Sequence, residues 1–296
     1  MSSRELCKAA KAYSRLGQSY ATSMELGLSK SRYLGIGLEY ADFREYQEGD
    51  DIRYVDWRLS ARSIDTVTGG YKLYTKVFHV EQMKEVVFAT DFTESMLDRE
   101  KIAASLYILS LLLELSHRFT DKVTLIILAH NVSVYRGLRG REAIKLIESA
   151  VCREKGVGGS TSIDRVVEVL KTIVRRNSAL VLVTDYAHDV EEFGQLTKLR
   201  KAFAIPVAVY ITVNRWEIEK PVDRARITLV DPETGEPITG DLDEIYKAIK
   251  SHLSHIRAIL ATGRVNHVEI QGARDAQIKT LKIVETYLRT RQGQQA

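Results

Sequence analysis

Residues 86–95 read VVFATDFTES, and this stretch decides the fold. Val86 to Thr90 run apolar and β-branched without alternation, as in a strand covered on both faces. The run stops at Asp91, and hydroxyl and acidic side chains follow in Thr93, Glu94 and Ser95. A short apolar strand that opens into a polar loop at its carboxyl end is the building unit of open α/β sheets. Those carboxyl ends are where such sheets hold ligands.

The same rhythm repeats outward from this point. DREKIAASLYILSLLLELSHRF (98–119) predicts a long helix, with acids at its start and His-Arg at its end, as the helix dipole favours. VTLIILA (123–129) predicts a second buried strand, and VSVYR after Asn131 a short amphipathic one. Helices are predicted over 141–151, 163–176 and 190–203; strands over 179–184, ending at Asp185, and over 205–213. RITLVD (226–231) predicts another strand, PETGE a turn, and helices follow at about 241–262 and 273–290. Buried strands alternating with amphipathic helices predict an α/β fold: a doubly wound, mostly parallel sheet flanked by helices. Upstream the pattern differs. A helix over 4–26 is interrupted by Gly17, glycines break up 27–70, and YKLYTKVFHVEQ (71–82) reads as a strand. The expected division is therefore an N-terminal helical and strand extension over 1–80, packed on a sheet domain over 81–296.

Composition limits the function. Over 296 residues, 43 Lys+Arg against 39 Asp+Glu leave a formal charge of +4, too little for a polybasic nucleic-acid binder. Cys7 and Cys152 are isolated, without a CxxC pair, so a zinc knuckle, an iron–sulfur cluster and a disulfide scaffold are not expected. A reducing cytoplasm fits that reading best. The longest uncharged apolar-rich run, 102–113, is shorter than the ~20 residues a bilayer needs, so no membrane insertion is expected. The N-terminus has no apolar signal core. Asn and Met are scarce, four each, as in heat-adapted chains.

The residues that carry chemistry sit at strand ends. Asp91 is followed by alternating hydroxyls, Thr93 and Ser95; Asp185 ends a second strand; the loop GVGGSTS (156–162) brings Thr161 to a helix start. Carboxylates and hydroxyls are hard oxygen donors and suit a small divalent cation. Magnesium takes six oxygens at about 2.1 Å and keeps several waters. Neutral hydroxyl ligands leave the ion positive with a position open, which attracts a carboxylate from another molecule.

DFTES resembles the DxSxS signature of the metal-ion-dependent adhesion site of von Willebrand factor A domains, with Thr93 in place of the first serine. Thr161 is similar to the second-loop threonine of that site and Asp185 to its third-loop aspartate; Ser160 is an alternative to Thr161. GIGLEYADFREYQEGDDIRYVDWRLSAR (35–62) resembles the signature of an uncharacterised family of von Willebrand factor A-like proteins often encoded beside MoxR-type AAA+ ATPases, and DPETGE (231–236) fits it. The likeness covers roughly residues 30–290. It implies a von Willebrand factor A-like fold and a Mg²⁺ site (Mn²⁺ or Ca²⁺ as substitutes) formed by Asp91, Thr93, Ser95, Thr161 and Asp185. It also implies a non-enzymatic interaction module acting as adaptor of a MoxR-type ATPase, in protein remodelling or in metal or cofactor insertion.

Two readings of the upstream segment stand open. Ile52, Val55 and Leu59 have the spacing of one helical face, and Arg58 and Arg62, four apart, repel unless an acid among Asp50, Asp51, Asp56 and Asp65 offsets them. Alternatively Arg53, Trp57, Arg58 and Arg62 face a partner, since Trp and Arg are typical interface anchors. A metal-dependent hydrolase, with Glu94 or His188 as base, is the alternative function, and a nucleic-acid binder through the Arg-rich segment a lesser one. His188 is expected in a solvated loop, His252 and His255 on the surface, and Glu94 turned away or bonded to a neighbouring loop. The glycine loop lacks the Lys-Ser/Thr ending of a P-loop.

Overall fold

The computed structural model describes residues 3–28, 39–48, 50, 52, 55–63, 72–79, 83–153, 157–175, 178–220, 225–232 and 234–293. The chain divides into two compact units, 1–22 with 83–296, and 23–82. The extension expected over 1–80 is thus split: its first 22 residues count with the sheet.

The first helix, α1 (Ser3–Leu28), runs straight through Gly17. Gly17 is no interruption. A Cβ there would lie 2.5 Å from the Tyr107 carbonyl oxygen of a neighbouring helix, so glycine serves close helix approach. In the smaller unit, β1 (Glu39–Glu45) pairs antiparallel with β2 (Tyr74–His79). Between them lies a four-residue helix, α2 (Trp57–Ser60), whose cap Asp56 accepts from Leu59 N. The helical face expected from Ile52, Val55 and Leu59 does not form. Val55 is extended, bridging Thr75, and Ile52 is exposed, because the helix starts only at the Asp56 cap.

The larger unit contains the predicted sheet. Its elements are β3 (Glu85–Asp91), α3 (Arg99–Arg118), β4 (Lys122–Leu128), β5 (Val132–Leu138), α4 (Gly140–Cys152) and α5 (Ile163–Ile173). These are followed by β6 (Ser178–Thr184), α6 (Val190–Phe203), β7 (Val207–Val213), α7 (Arg215–Ile218), β8 (Arg226–Val230) and β9 (Pro237–Asp241). The chain ends in α8 (Leu242–Thr262), β10 (Asn266–Gln271), α9 (Gly272–Ile278) and α10 (Thr280–Gln292). The sheet order is β10-β7-β6-β3-β4-β5; neighbours are parallel except β5, which is antiparallel to β4. β6 and β7 are buried end to end and β3 from Val86 onward, which is why they read as apolar runs rather than alternations. β10 was not expected. Its His267, Glu269 and Gln271 alternate with Val268 and Ile270 in a short polar segment at the sheet edge, and two helices adjoin it. β8 and β9 form a separate hairpin turned by Asp231, whose carboxylate accepts from Thr234 N, and by Gly235 at φ +75°.

Alternate residues of each strand serve opposite faces. Val87, Ala89, Leu180, Leu182, Val207 and Val209 join α5, α6 and α8 in one apolar cluster. On the other face Phe88 meets the Tyr287 ring of α10, and Tyr210 donates its hydroxyl proton to Ile283 O at 2.8 Å. Helix α3 is buried from Lys101 to Ser116, enclosed by the sheet, α9, α4 and α1. This burial on all sides explains a helix richer in Leu and Ile than an amphipathic pattern requires.

Cys7 and Cys152 are joined in a disulfide, so the expectation of isolated thiols is corrected. Their separation of 145 residues carries no local signal; the approach of α1 and α4 brings them together.

Candidate metal centre

From β3 the chain moves outward through β4 to β5, then returns to the other side of β3 as β6. Beside β3 the strand order reverses, and the loops leaving the carboxyl ends of β3 and β6 diverge around a crevice of the kind that holds ligands in open α/β sheets. Asp91 and Asp185 stand at those two ends, both fully buried.

Asp91 is surrounded by donors. Its Oδ1 accepts from Thr93 N at 2.9 Å and Thr93 Oγ1 at 2.7 Å; its Oδ2 accepts from Thr184 Oγ1 at 2.7 Å and His188 Nε2 at 2.6 Å. Ser95 Oγ lies 3.3 Å from Thr93 Oγ1. The glycine loop is sewn to this strand end by Gly158 N donating to Phe92 O and Glu94 N donating to Gly159 O. Gly158 and Gly159 have positive φ, and a Cβ on Gly159 would meet the His130 ring. The glycines therefore serve backbone conformation and close packing rather than a phosphate. The exposed Glu94 side chain lies beside Gly158.

Ser160 is exposed, whereas Thr161 is buried with its hydroxyl unpartnered among the described residues. Thr161, His188, Arg165 and Glu192 line a polar cavity of about 320 Å³. Burying a lone hydroxyl costs roughly 1–3 kcal/mol, which a bound ligand would offset.

Two cations already sit among these carboxylates, and sequence reading missed both roles. His188, expected in solvent, is buried; its Nε2 is on Asp91 and its Nδ1 lies 3.5 Å from Glu192. Burial pulls the imidazole pKa down, but the Asp91 and Glu192 carboxylates outweigh it and hold it up at about 10. Burial likewise raises the Asp91 pKa, yet the imidazolium and the Thr93 donors bring it below the usual value. Lys101, from α3, places its ammonium 2.9 Å from Asp185 Oδ2 and 2.8 Å from Glu217 Oε1. Burial opposes its charge, and the two carboxylates overcome that and raise its pKa. Asp185 Oδ1 accepts from Ala187 N. His252, half-buried, donates from Nε2 to the carbonyls of Tyr186 and His188 and fixes this loop; His255 is exposed. Lys101 gave no signal because a single lysine in an apolar helix reads as a surface position. Only the strand order brings it under Asp185.

Among the described residues, Asp91, Asp185 and His188 form a group whose ligand atoms all lie within 4.8 Å of one another. The donor set fits a hard cation. Thr93 already gives its proton to Asp91 and so keeps oxygen lone pairs for an ion, and Thr161 has an unused hydroxyl. Four carboxylates (Asp91, Asp185, Glu192, Glu217) face two protein cations (His188, Lys101), leaving an excess of negative charge. A divalent ion would compete with His188 for Asp91.

Of the upstream residues expected at an interface, Arg53 lies outside the described residues. Trp57 is 58% exposed, and Arg58 and Arg62 are exposed without an ion-pair partner among the described residues. Asp50 instead pairs with Arg44 at 2.5 Å, and Asp56 caps α2, while Asp51 and Asp65 lie outside the described residues.

A family described as "Protein of unknown function DUF58" matches residues 42–256. The chain belongs to DUF58. The matched span takes in α2, the β3 and β6 strand ends and most of α8. No curated protein matches this DUF58 chain. Among solved structures it is similar to BatB, a conserved hypothetical protein from Bacteroides thetaiotaomicron (17% identity, TM-score 0.43, covering 70% of this chain and 99% of that one). It is also similar to an aerotolerance-related membrane protein from Bacteroides fragilis (18% identity, TM-score 0.44, covering 68% and 99%). A third is a mutant PilB minor pilin from Streptococcus sanguinis (10% identity, TM-score 0.37, covering 75% and 68%). No described helix is long and apolar enough to cross a membrane.

Proposed function

We propose that this protein is a metal-dependent protein-interaction module with a von Willebrand factor A-like sheet, not an enzyme. Asp91, Thr93, Ser95, Thr161 and Asp185 would hold Mg²⁺ (with Mn²⁺ or Ca²⁺ as substitutes), some of them through water. The bound ion supplies an open positive coordination position, which an Asp or Glu of a partner protein completes. The observation that carries this reading is the buried Thr161 hydroxyl, unpartnered among the described residues, on the cavity that also holds His188, the hydrogen-bond partner of Asp91. The partner is a MoxR-type AAA+ ATPase or its client, for which this chain acts as adaptor, with Arg53, Trp57, Arg58 and Arg62 as further contacts. The location is cytoplasmic. The Cys7–Cys152 bridge is compatible with the cytoplasm of a heat-adapted cell, a setting the scarcity of Asn and Met favours.

A second reading is favoured by His188 on Asp91 and Lys101 on Asp185: a metal-free ion-pair lock closing the strand ends. Calorimetric titration of the chelator-treated protein with Mg²⁺ and Mn²⁺ separates the two. Saturable binding at one site, abolished in Asp91→Ala and Thr161→Val but kept in Glu94→Gln, supports the interaction module. Absence of binding in the folded wild-type protein leaves the lock.

A further inference from the structure

A second, larger cavity of about 760 Å³ shares Ala187 with the polar one and reaches Ser95 and Lys101. Its walls are apolar: Leu229 and Val230 of β8, Ile238 of β9, Ile245 and Ile249 of α8, and Trp216 of α7. Trp216, Val230 and Ile238 are half or more exposed, so they form a wet mouth. The deep end is polar and buried: Lys101, Glu217 and Asn214. Lys101 and Glu217 satisfy one another, whereas the Asn214 Nδ2 donor, 2% exposed as a residue, has no partner among the described residues. An orphaned amide donor at the base of an apolar cavity asks for a carbonyl or similar acceptor. The charged groups around the cavity are mostly acidic. Glu94, Asp98 and Asp231 line it, and its ammonium, Lys101, is engaged by Asp185 and Glu217.

We infer that this cavity docks a short extended segment of a partner protein, one that inserts a large apolar side chain beside a flanking Lys or Arg. The walls take the side chain, Asn214 takes a backbone carbonyl, and Glu94 and Asp98 meet the cation. The same carboxylates repel an anionic lipid surface, so a membrane is disfavoured despite the exposed Trp216. The inference is independent of any ion on Asp91.

The test uses the full chain carrying Trp57→Phe, which leaves Trp216 as the sole tryptophan, in chelator throughout so that the ion site plays no part. The probe is the peptide acetyl-Lys-Leu-Leu-Lys-amide. It is expected to shift Trp216 emission to the blue with saturation. Replacing the leucines by glycine is expected to weaken binding by about tenfold or more, as loss of a buried Leu side chain demands. Glutamate in place of both lysines weakens it as well. Asp98→Asn keeps a competent helix cap yet lowers affinity for the lysine peptide, and Ile238→Ser, at an exposed strand position, lowers it too. Equal responses to the leucine and glycine peptides overturn the inference. So does a response to phosphatidylglycerol vesicles without one to the peptide, or no saturable shift in folded protein. Mg²⁺ titration of the same variant reports the ion site separately, so each can fail alone.

Discussion

The disulfide between Cys7 and Cys152 makes a claim that a bench experiment can break. It closes a loop of 145 residues. In the chain-entropy account, that cross-link removes about 17 cal/mol/K from the unfolded ensemble, or about 5 kcal/mol at 25 °C. Measured losses for native bridges run from roughly 2 to 5 kcal/mol, because reduced chains keep some structure. The lower end is favoured here. α1 remains held by burial of Leu6, Ala10, Ser14 and Ala21 when the bridge opens, so part of the loss appears as local undocking of α1. At about 2 °C per kcal/mol for a chain of this size, the melting temperature should fall by about 4–10 °C. The perturbations are a strong reductant and Cys7→Ser, a small change at a half-buried position. The assay is thermal unfolding followed by circular dichroism, with mass spectrometry confirming reduction. Cys7→Ser should match the reduced wild type, and reductant should then do nothing more. Titratable thiols in the unreduced protein, or an unchanged melting temperature after proven reduction, would refute the reasoning.

Thr161→Val removes the orphaned hydroxyl while keeping the β-branched shape; in chelator it should stabilise the protein by about 1 kcal/mol, and it should erase any rise in melting temperature caused by Mg²⁺. Lys101→Met leaves Asp185 and Glu217 buried without their cation, and denaturant unfolding should report a loss of about 3–5 kcal/mol. His188 titrates at about 10 when folded, above its unfolded value near 6.5, so its contribution is complete below pH 6.5 and declines as pH rises toward 10. Chelated protein should therefore lose stability along that alkaline limb, and His188→Gln should flatten it; an unchanged limb would mean the imidazole is not paired. Gly17→Val should destabilise by about 1–3 kcal/mol through the clash with the Tyr107 carbonyl, with melting temperature as the readout.

Much of the sheet was legible because its strands are covered on both faces. Val86–Thr90, Ala179–Thr184 and Val207–Val213 are continuous apolar runs only because water reaches neither side. Asp91 and Asp185 stood out for the complementary reason: an acid ending such a run must be answered by partners. β10 was illegible, since an edge strand of alternating His, Val, Glu and Ile resembles many loops. The helix expected around Ile52 failed because a fitting periodicity does not start a helix where Asp56 caps it later.

Sequence by itself determined the alternation of strands and helices, the strand-end acids and the hydroxyls spaced along the loop after Asp91. These follow from local periodicity and from side-chain chemistry, both carried by neighbouring residues. Tertiary structure decided the rest: that Lys101 lies under Asp185, that His188 closes on Asp91, that Thr161 keeps an unspent hydroxyl, and that Cys7 finds Cys152. The three pairings join residues dozens of positions apart, and Coulomb attraction, burial and bonding act through distance in space, which a linear order of side chains does not record.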